Sequence, residues 1–313
     1  MNLLRRAGRK LLSHDLFSPG GLGRHARRRF FRRARRFTPF VVAAADVGTF
    51  LVRTDDRQVS ELLFVDGNFD ARLMGELLTA LEGLGYPEVR RRCFVEIGAN
   101  IGSTTVTAIK SAGFPRVVCF EPEPTNFRLL EMNLALNGLG GRATAYQLAL
   151  SDSAGELEFE IAPDNSGDGR VRPAGSPAQR AEPGHLGESA RPTIRVRATT
   201  FDELLAGGIV PPLDEVGIVW IDTQGHEGHV LAGASRLGES GVPLLCEYWP
   251  YGLRRAGGLE RFEAFVRKHY THFVDCAKVG DAVSALVPVE RIGEVRDRYP
   301  GIRFTDLLLL RRA

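Results

Sequence analysis

The chain has 313 residues, of which 43% are apolar and 25% are charged. This composition excludes a disordered or fibrous chain, and the length suffices for one large α/β domain or two small ones. The net charge is only +3, yet residues 1–36 hold twelve basic side chains and one acidic side chain. This N-terminal segment therefore carries a charge of +11, and the rest of the chain carries −8. Such an asymmetry indicates an anionic partner or a solvated, arginine-rich tail.

The four cysteines each fall in or beside a short apolar run, and no two of them form a C-x-x-C pair. This pattern favours buried, reduced thiols. No secretory apolar segment follows Met1, and no apolar run is long enough to span a bilayer. We therefore expect a cytoplasmic protein, or one that lies peripherally on a membrane.

The chain divides into a basic N-terminal arm (1–38), a segment of strands and a lid helix (39–92), and a main domain (93–313). Within the middle segment, VVAAADVGTFLVRT and SELLFVDGNF predict short strands, and FDARLMGELLTALEGLG predicts a helix. From residue 93 onward, short apolar runs alternate with helical patterns. This alternation predicts a mostly parallel sheet with helices on both faces and ligand sites at the carboxyl ends of its strands.

An insertion at residues 162–192 interrupts the alternation. It is rich in Pro, Gly and Ser, has no periodicity, and lies between two segments, ELEFEI and TIRVRA, that alternate like half-exposed strands. A structureless loop of this length in a compact domain is either functional or disordered. Composition leaves both interpretations open.

The stretch FVEIGANIGSTTV (94–106) predicts a strand, a glycine loop and the start of a helix. Such loops usually hold phosphate on helix N-terminal amides, but Glu96 stands at the mouth of this one, before Gly98, Asn100 and Gly102. A carboxylate there repels pyrophosphate and attracts a cationic group. Asn100 also replaces the middle glycine of G-x-G-x-x-G, so the segment fails the dinucleotide pattern.

Further acids follow the next two strands. Glu121, at the predicted end of the second strand, is placed to accept hydrogen bonds from ribose hydroxyls. A nucleoside that is positively charged and lacks phosphate suits both Glu96 and Glu121, and S-adenosylmethionine is such a molecule. Ser151 and Asp152, past the third strand, are predicted near the adenine, with an ordinary Asp turn as the alternative.

The segment IDTQGHEGHV (221–230) is the candidate for chemistry, because Asp222, Gln224, His226 and Glu227 converge at the end of the fourth strand. Methyl transfer requires that the acceptor oxygen be positioned and its proton removed. We expect Asp222 to position the acceptor, His226 or Glu227 to accept the proton, and Gln224 to contact the substrate. An acid that merely complements the helix dipole is the alternative for Glu227.

Glu247 and Trp249 follow the fifth strand and suit a flat substrate face such as a sugar ring, although packing against the loop explains the aromatic residue equally well. The histidines are scattered, and His226 with His229 lacks a third ligand. We therefore predict no metal site.

Five segments, in this order, resemble the FkbM-type methyltransferase family: VEIGANIGSTT, FEPEPTNFRLLEMNL, QLALSDSAGELEF, TTFDELL and WIDTQGHEGHVLAGA. The resemblance implies a class I (Rossmann-like) α/β fold with a seven-stranded sheet whose last strand is antiparallel. It also implies S-adenosylmethionine as the donor and a hydroxyl of a glycan, glycolipid or secondary metabolite as the acceptor. Two alternatives stay open: a non-catalytic cofactor-binding module, and a nicotinamide-dependent oxidoreductase, which Glu96 and Asn100 oppose.

The arginine-rich stretch RHARRRFFRRARRF (24–37) predicts a basic amphipathic helix. At 3.6 residues per turn, Ala26, Phe30, Ala34 and Phe37 fall on one face. An anionic membrane surface, a tail without a partner, a nucleic-acid-binding arm and an organelle-targeting segment are the four interpretations, of which the nucleic-acid arm is disfavoured. Oligomeric state is not predicted.

Overall fold

The structure is a computed structural model, and it describes residues 23–68, 70–173, 187–277 and 285–312. The first 22 residues of the basic arm and residues 174–186 of the predicted insertion lie outside the described residues.

The described strands and helices follow one another along the chain with short connections. The strands are β1 (Phe40–Ala44), β2 (Thr49–Arg53), β3 (Cys93–Ile97), β4 (Val117–Phe120), β5 (Ala143–Tyr146), β6 (Ala149–Leu150), β7 (Gly155–Glu160), β8 (Arg170–Val171), β9 (Thr193–Thr199), β10 (Val216–Ile221), β11 (Leu244–Tyr248), β12 (His272–Asp275), β13 (Leu286–Pro288) and β14 (Thr305–Leu310). The α-helices are α1 (Gly23–Ala34), α2 (Val59–Asp66), α3 (Ala71–Gly83), α4 (Ser103–Lys110), α5 (Pro124–Leu136), α6 (Phe201–Ala206), α7 (Glu227–Ala232), α8 (Ser235–Ser240), α9 (Pro250–Ala256), α10 (Leu259–His269) and α11 (Ile292–Arg298).

The central sheet has the order β13-β12-β14-β11-β10-β3-β4-β5. β14 lies antiparallel between β11 and β12, and β13 is antiparallel at the edge, while the remaining strands share one direction. Both faces are covered, since neighbouring residues such as Phe94 and Val95 belong to different core clusters. The predicted α/β class and the antiparallel last strand are confirmed. The described sheet has eight strands instead of seven because the short β13 extends its edge.

The two strands predicted to flank the insertion form a second sheet, with the order β6-β9-β7-β8. Its small apolar core includes Phe159 and Val196. After β9, Thr200 and Glu203 cap α6 reciprocally, because each side chain bonds to the other residue's backbone amide. This sheet holds the described part of the insertion against the main domain.

The prediction of a strand at residues 60–69 is wrong, because residues 59–66 form α2. The Asp56 carboxylate accepts hydrogen bonds from the backbone amides of Gln58 at 2.9 Å and Ser60 at 3.0 Å. A side-chain acceptor for otherwise unpaired first-turn amides starts a helix. A short apolar run does not distinguish a strand from a buried helix, and here the preceding acid was the deciding signal.

The predicted basic helix forms as α1, but its buried face differs from the prediction. Phe31 is fully buried against Phe64 of α2, with ring centroids 5.3 Å apart, whereas Ala26 and Phe37 are exposed. The buried set is Gly23, Arg27, Phe31 and Ala34. The difference arises because α1 packs on α2, so its register is set by that contact and not by its own apolar stripe.

In the part of the chain that the structure describes, no helix is both long and apolar enough to cross a membrane. The four cysteines are free and buried, as predicted.

Candidate active site

A cavity of about 530 Å³ opens at the carboxyl ends of β3, β4, β10 and β11. This is the edge at which parallel sheets bind ligands, and the volume falls within the range of small-molecule sites. Residues 165–169 of the insertion also line the cavity. The described part of the insertion therefore contributes to the site, which favours the functional interpretation over a disordered loop for these residues.

The glycine loop after β3 brings two strand ends into contact. Gly98 has a φ of +96°, and a Cβ atom there would lie 1.8 Å from the carbonyl oxygen of Asp222. At Gly102, a Cβ would meet the Cδ1 atom of Leu130 at 2.6 Å. Asn100, which also lines the cavity, adopts a left-handed φ of 50°. Gly98 is thus required for the close approach that places Asp222 beside the loop.

Glu96 lines the cavity and is almost fully buried. The Thr105 hydroxyl donates a hydrogen bond to its carboxylate. Burial raises the pKa of Glu96 to about 8, and burial likewise raises the pKa of Asp70, which also lines the cavity, to about 7. Both carboxyl groups therefore hold their protons more tightly than exposed acids do, and a cation in the site would favour their ionised forms.

Glu121 lines the same cavity, and its two carboxylate oxygens accept backbone hydrogen bonds. One comes from the amide of Asn100 at 2.8 Å and the other from the amide of Glu123 at 2.9 Å. Burial nevertheless raises the pKa of Glu121 to about 7. The side chain holds the glycine loop in shape, and each oxygen keeps a second lone pair for a ligand hydroxyl.

Asp222 and Glu247, which both line the cavity, are bridged by the Gln224 amide. Its Nε2 donates to Oδ1 of Asp222 at 2.7 Å and to both carboxylate oxygens of Glu247 at 3.2 Å. Glu247 also lies directly opposite Asp306 in the antiparallel β11–β14 pair. Burial raises the pKa of Asp222, and burial with these neighbouring acids raises the pKa of Glu247 and of Asp306 well above the usual range.

Glu227 is fully buried and does not line the cavity. Its carboxylate accepts hydrogen bonds from the backbone amides of Thr223 at 2.8 Å and Gly225 at 3.0 Å. It therefore organises the turn between β10 and α7. Glu227 also belongs to a cluster of three acids with Asp222 and Glu247. Their carboxylate oxygens lie within 4.8 Å of one another, which is close enough to share a cation. Hydrogen bonds from Gln224 and the turn hold them together.

His226 lines the cavity, and its Nε2 lies 2.9 Å from the Ser151 hydroxyl. Burial lowers the pKa of His226 to about 3, so the ring is neutral at ordinary pH. Ser151 and Asp152 themselves are not among the lining residues. Asp152 instead pairs with Arg261 at 2.5 Å and with His229 at 3.3 Å.

Trp249 lines the cavity near the insertion. Its indole donates to the Ile302 carbonyl at 3.1 Å, and the Arg170 guanidinium lies over its ring at 4.7 Å. Trp249 therefore packs against the loop as well as lining the cavity, and its contact with a substrate stays a prediction.

The lining residues that were not predicted include the polar side chains of Asp70, Asn126, Asp168 and Asp306. The Nδ2 atom of Asn126 donates to the Ser166 carbonyl at 2.9 Å, while its buried Oδ1 atom has no hydrogen-bond partner among the described residues. A signal was available for Asp306, which is an acid inside the apolar run TDLLLL. Asp70 and Asp168 carry no local signal, because the fold brings them to the cavity from distant segments.

The residues that line the cavity include seven carboxylates and, within the described part of the chain, neither Lys nor Arg. The lining acids are Asp70, Glu96, Glu121, Asp168, Asp222, Glu247 and Asp306. Such a lining suits a ligand with a sulfonium and an ammonium group and opposes a pyrophosphate. The unpartnered Asn126 oxygen supplies a further acceptor for a ligand donor. The residues present therefore fit S-adenosylmethionine.

A mostly parallel sheet with one antiparallel strand inserted near its end, and a ligand cavity at the carboxyl ends of its strands, define a class I S-adenosylmethionine-dependent methyltransferase. Comparison with known proteins narrows this class. Residues 96–248 match the model of the methyltransferase FkbM domain, which confirms the resemblance identified in the sequence.

Two characterised relatives are similar to parts of the chain. Methyltransferase sdnD from Sordaria araneosa is 34% identical over 79 residues, covering 25% of this chain and 30% of that protein. The 2-O-methyltransferase NoeI from Sinorhizobium fredii is 27% identical over 144 residues, covering 44% of this chain and 56% of that protein. The chain thus matches well under two thirds of the length of each.

Solved structures give weaker similarities. A putative O-methyltransferase from Klebsiella pneumoniae aligns with a TM-score of 0.38 and 12% identity over 77% of this chain and 90% of that one. M. jannaschii TYW2 in complex with AdoMet aligns with a TM-score of 0.35 and 11% identity over 88% of this chain and 87% of that one. The fold assignment rests on the strand order described above.

Proposed function

We propose that this methyltransferase transfers a methyl group to a hydroxyl oxygen of a small molecule or sugar, in a glycan, glycolipid or secondary metabolite. The observation that carries the proposal is the Asp222 carboxylate, which lines the cavity, is held by Gln224 and has no cationic partner among the described residues. An ionised carboxylate in this position is a proton acceptor for an alcohol. The name of the relative NoeI, a 2-O-methyltransferase, supports an oxygen acceptor.

When bound, S-adenosylmethionine supplies a methyl group already activated by positive charge, so the protein must orient the acceptor and take its proton. Burial raises the pKa of Asp222, which makes the ionised carboxylate a stronger base than an exposed one. The neutral His226 ring, with its pKa lowered to about 3 by burial, is the weaker base. Glu227 is occupied by backbone amides. We therefore assign proton removal to Asp222 and reserve a supporting role for the other two.

The lining also constrains the acceptor. Glu247 and Trp249 lie at the cavity wall beside Gln224, and no Lys or Arg of the described chain lines the cavity to neutralise a phosphate or carboxylate. A neutral polyol can use the carboxylate and amide oxygens as hydrogen-bond acceptors. This supports an uncharged sugar-like acceptor, bound with one hydroxyl directed at Asp222.

The test is methyl transfer from radiolabelled S-adenosylmethionine to a panel of neutral glycans, glycolipids and hydroxylated metabolites. Asp222→Asn should lower turnover by about a hundredfold or more, as expected for loss of a positioned proton acceptor, and leave S-adenosylhomocysteine affinity nearly unchanged. The exposed Asp214→Asn variant serves as the matched control. Full turnover in Asp222→Asn would refute the proposed base, and cofactor binding without turnover on any acceptor would favour a non-catalytic binding module.

A further inference from the structure

The basic helix α1 has three faces with different electrostatic environments. Its buried face packs on α2 through Phe31. On one flank, Arg24 pairs with Asp66 at 2.5 Å, and Arg28 and Arg32 pair with Glu61 at 2.9 and 3.0 Å. Two carboxylates offset two of these three positive charges, so this flank attracts an external anion less strongly than three unpaired arginines would.

The opposite flank is not neutralised. Arg29, Arg33 and Arg36 recur at intervals of four and three residues and share one side of the helical path, which continues by backbone hydrogen bonds beyond Ala34. Among the described residues, none of these three arginines has a carboxylate partner, and each is exposed. They line an open groove together with His25, Arg35 and the paired Arg28 and Arg32.

Aromatic side chains border this unpaired stripe. Phe30 and Phe37, seven residues apart, are 54% and 84% exposed, and Phe40 and Val42 on the adjoining strand β1 are also exposed. Large exposed apolar side chains that adjoin one another mark an interaction surface. Arginines beside exposed phenylalanines, on a helix fixed to a folded body, are the combination that binds the interface of an anionic bilayer.

We propose that this flank, formed by Arg29, Arg33 and Arg36 with Phe30 and Phe37, docks on a membrane surface that contains anionic lipids. The arginines attract the headgroups, and the phenylalanines enter the boundary between headgroups and acyl chains. A nucleic acid would also satisfy the arginines, but it does not require a row of exposed phenylalanines next to them. The proposal is independent of the acceptor, because it concerns residues outside the catalytic cavity.

The test measures co-sedimentation of the full chain with phosphatidylcholine vesicles, with and without about a third phosphatidylserine, at low and high salt. We expect binding only to the anionic vesicles. Replacing Arg29, Arg33 and Arg36 by Gln should weaken it about a hundredfold, since each cation near the surface contributes about fivefold. The matched control removes three exposed arginines elsewhere, Arg91, Arg236 and Arg312.

A second variant, Phe30→Ser with Phe37→Ser, keeps every charge and should also weaken vesicle binding. S-adenosylhomocysteine affinity, measured in parallel, confirms that each variant is folded. The proposal is overturned if the arginine variant binds vesicles like the control variant, if the phenylalanine variant binds like the unmodified chain, or if the chain binds duplex DNA or RNA while ignoring anionic vesicles.

Discussion

Burial opposes the ionisation of Glu96, and Glu96→Gln should make the protein more stable and the cofactor bind less well. The carboxyl is almost fully buried beside Asp70, Glu121 and Asp222, which are also acids. Burial and these neighbours raise its pKa from 4.5 to about 8. Glutamine keeps nearly the same shape and removes the ionisation.

The sign of the effect follows from proton linkage. A carboxyl whose pKa is higher in the folded state contributes stability below its unfolded pKa and loses it as pH rises through the folded value. The window for Glu96 is therefore 4.5 to about 8. Across this whole window the contribution of Glu96 to the free energy of unfolding falls by about 5 kcal/mol. Between about pH 6 and about pH 8 it falls by about 2 kcal/mol.

The measurement is the free energy of unfolding by denaturant at several pH values, for the unmodified chain and Glu96→Gln. The stability gained in the variant should increase by about 2 kcal/mol from about pH 6 to about pH 8. The exposed Glu131→Gln variant controls for loss of one negative charge. If the free energies of unfolding of the two proteins change with pH in parallel, Glu96 does not titrate in this range and the reasoning fails.

Three further predictions concern the same cavity. Gly98→Ala should lower the free energy of unfolding by about 2 kcal/mol or more and abolish S-adenosylhomocysteine binding, because its Cβ meets the Asp222 carbonyl; a folded variant with unchanged affinity in calorimetry would contradict this. Glu121→Ala should weaken cofactor binding by about 1.5–3 kcal/mol, and an unchanged dissociation constant would remove it from the ribose site. Asn126→Leu should weaken binding of cofactor or acceptor about tenfold, because a donor group of the ligand loses the Oδ1 acceptor. If the variant binds both ligands with the same affinity as the unmodified chain, this oxygen takes no part in binding.

Much of the fold could be predicted from the sequence because the strands of the central sheet are short apolar runs between helical patterns. β3, β4, β10 and β11 are buried along their whole length, which gives an unambiguous signal. α2 was mistaken for a strand because eight residues with five apolar positions have no decisive period. The docked face of α1 was not predictable from its own sequence, since Glu61 and Phe64 of α2 select it.

The candidate site, like the fold, could be predicted from the sequence only in part. Glu96, Glu121 and Asp222 follow buried strands, so their convergence at one sheet edge follows from topology alone. The adenine prediction for Asp152 depended on the direction of one side chain, and the structure pairs that side chain with Arg261 outside the cavity lining. The proposed base changed from His226 or Glu227 to Asp222 for a similar reason, because burial and hydrogen bonds decide which group can accept a proton from the ligand, and neither can be read from spacing.

The density of acids in this cavity has a consequence for the reaction itself. Burial raises the pKa of Glu96, Glu121 and Asp222, so a cation that enters the cavity favours their ionised forms and displaces protons from them. If Asp222 is the base, as proposed, loss of the sulfonium charge from a bound donor would let the pKa of the neighbouring carboxyls rise again. The proton of the acceptor hydroxyl would then go to a carboxylate that becomes a stronger base as the reaction proceeds. In this proposal, the burial that opposes the ionisation of these acids would also let Asp222 hold that proton.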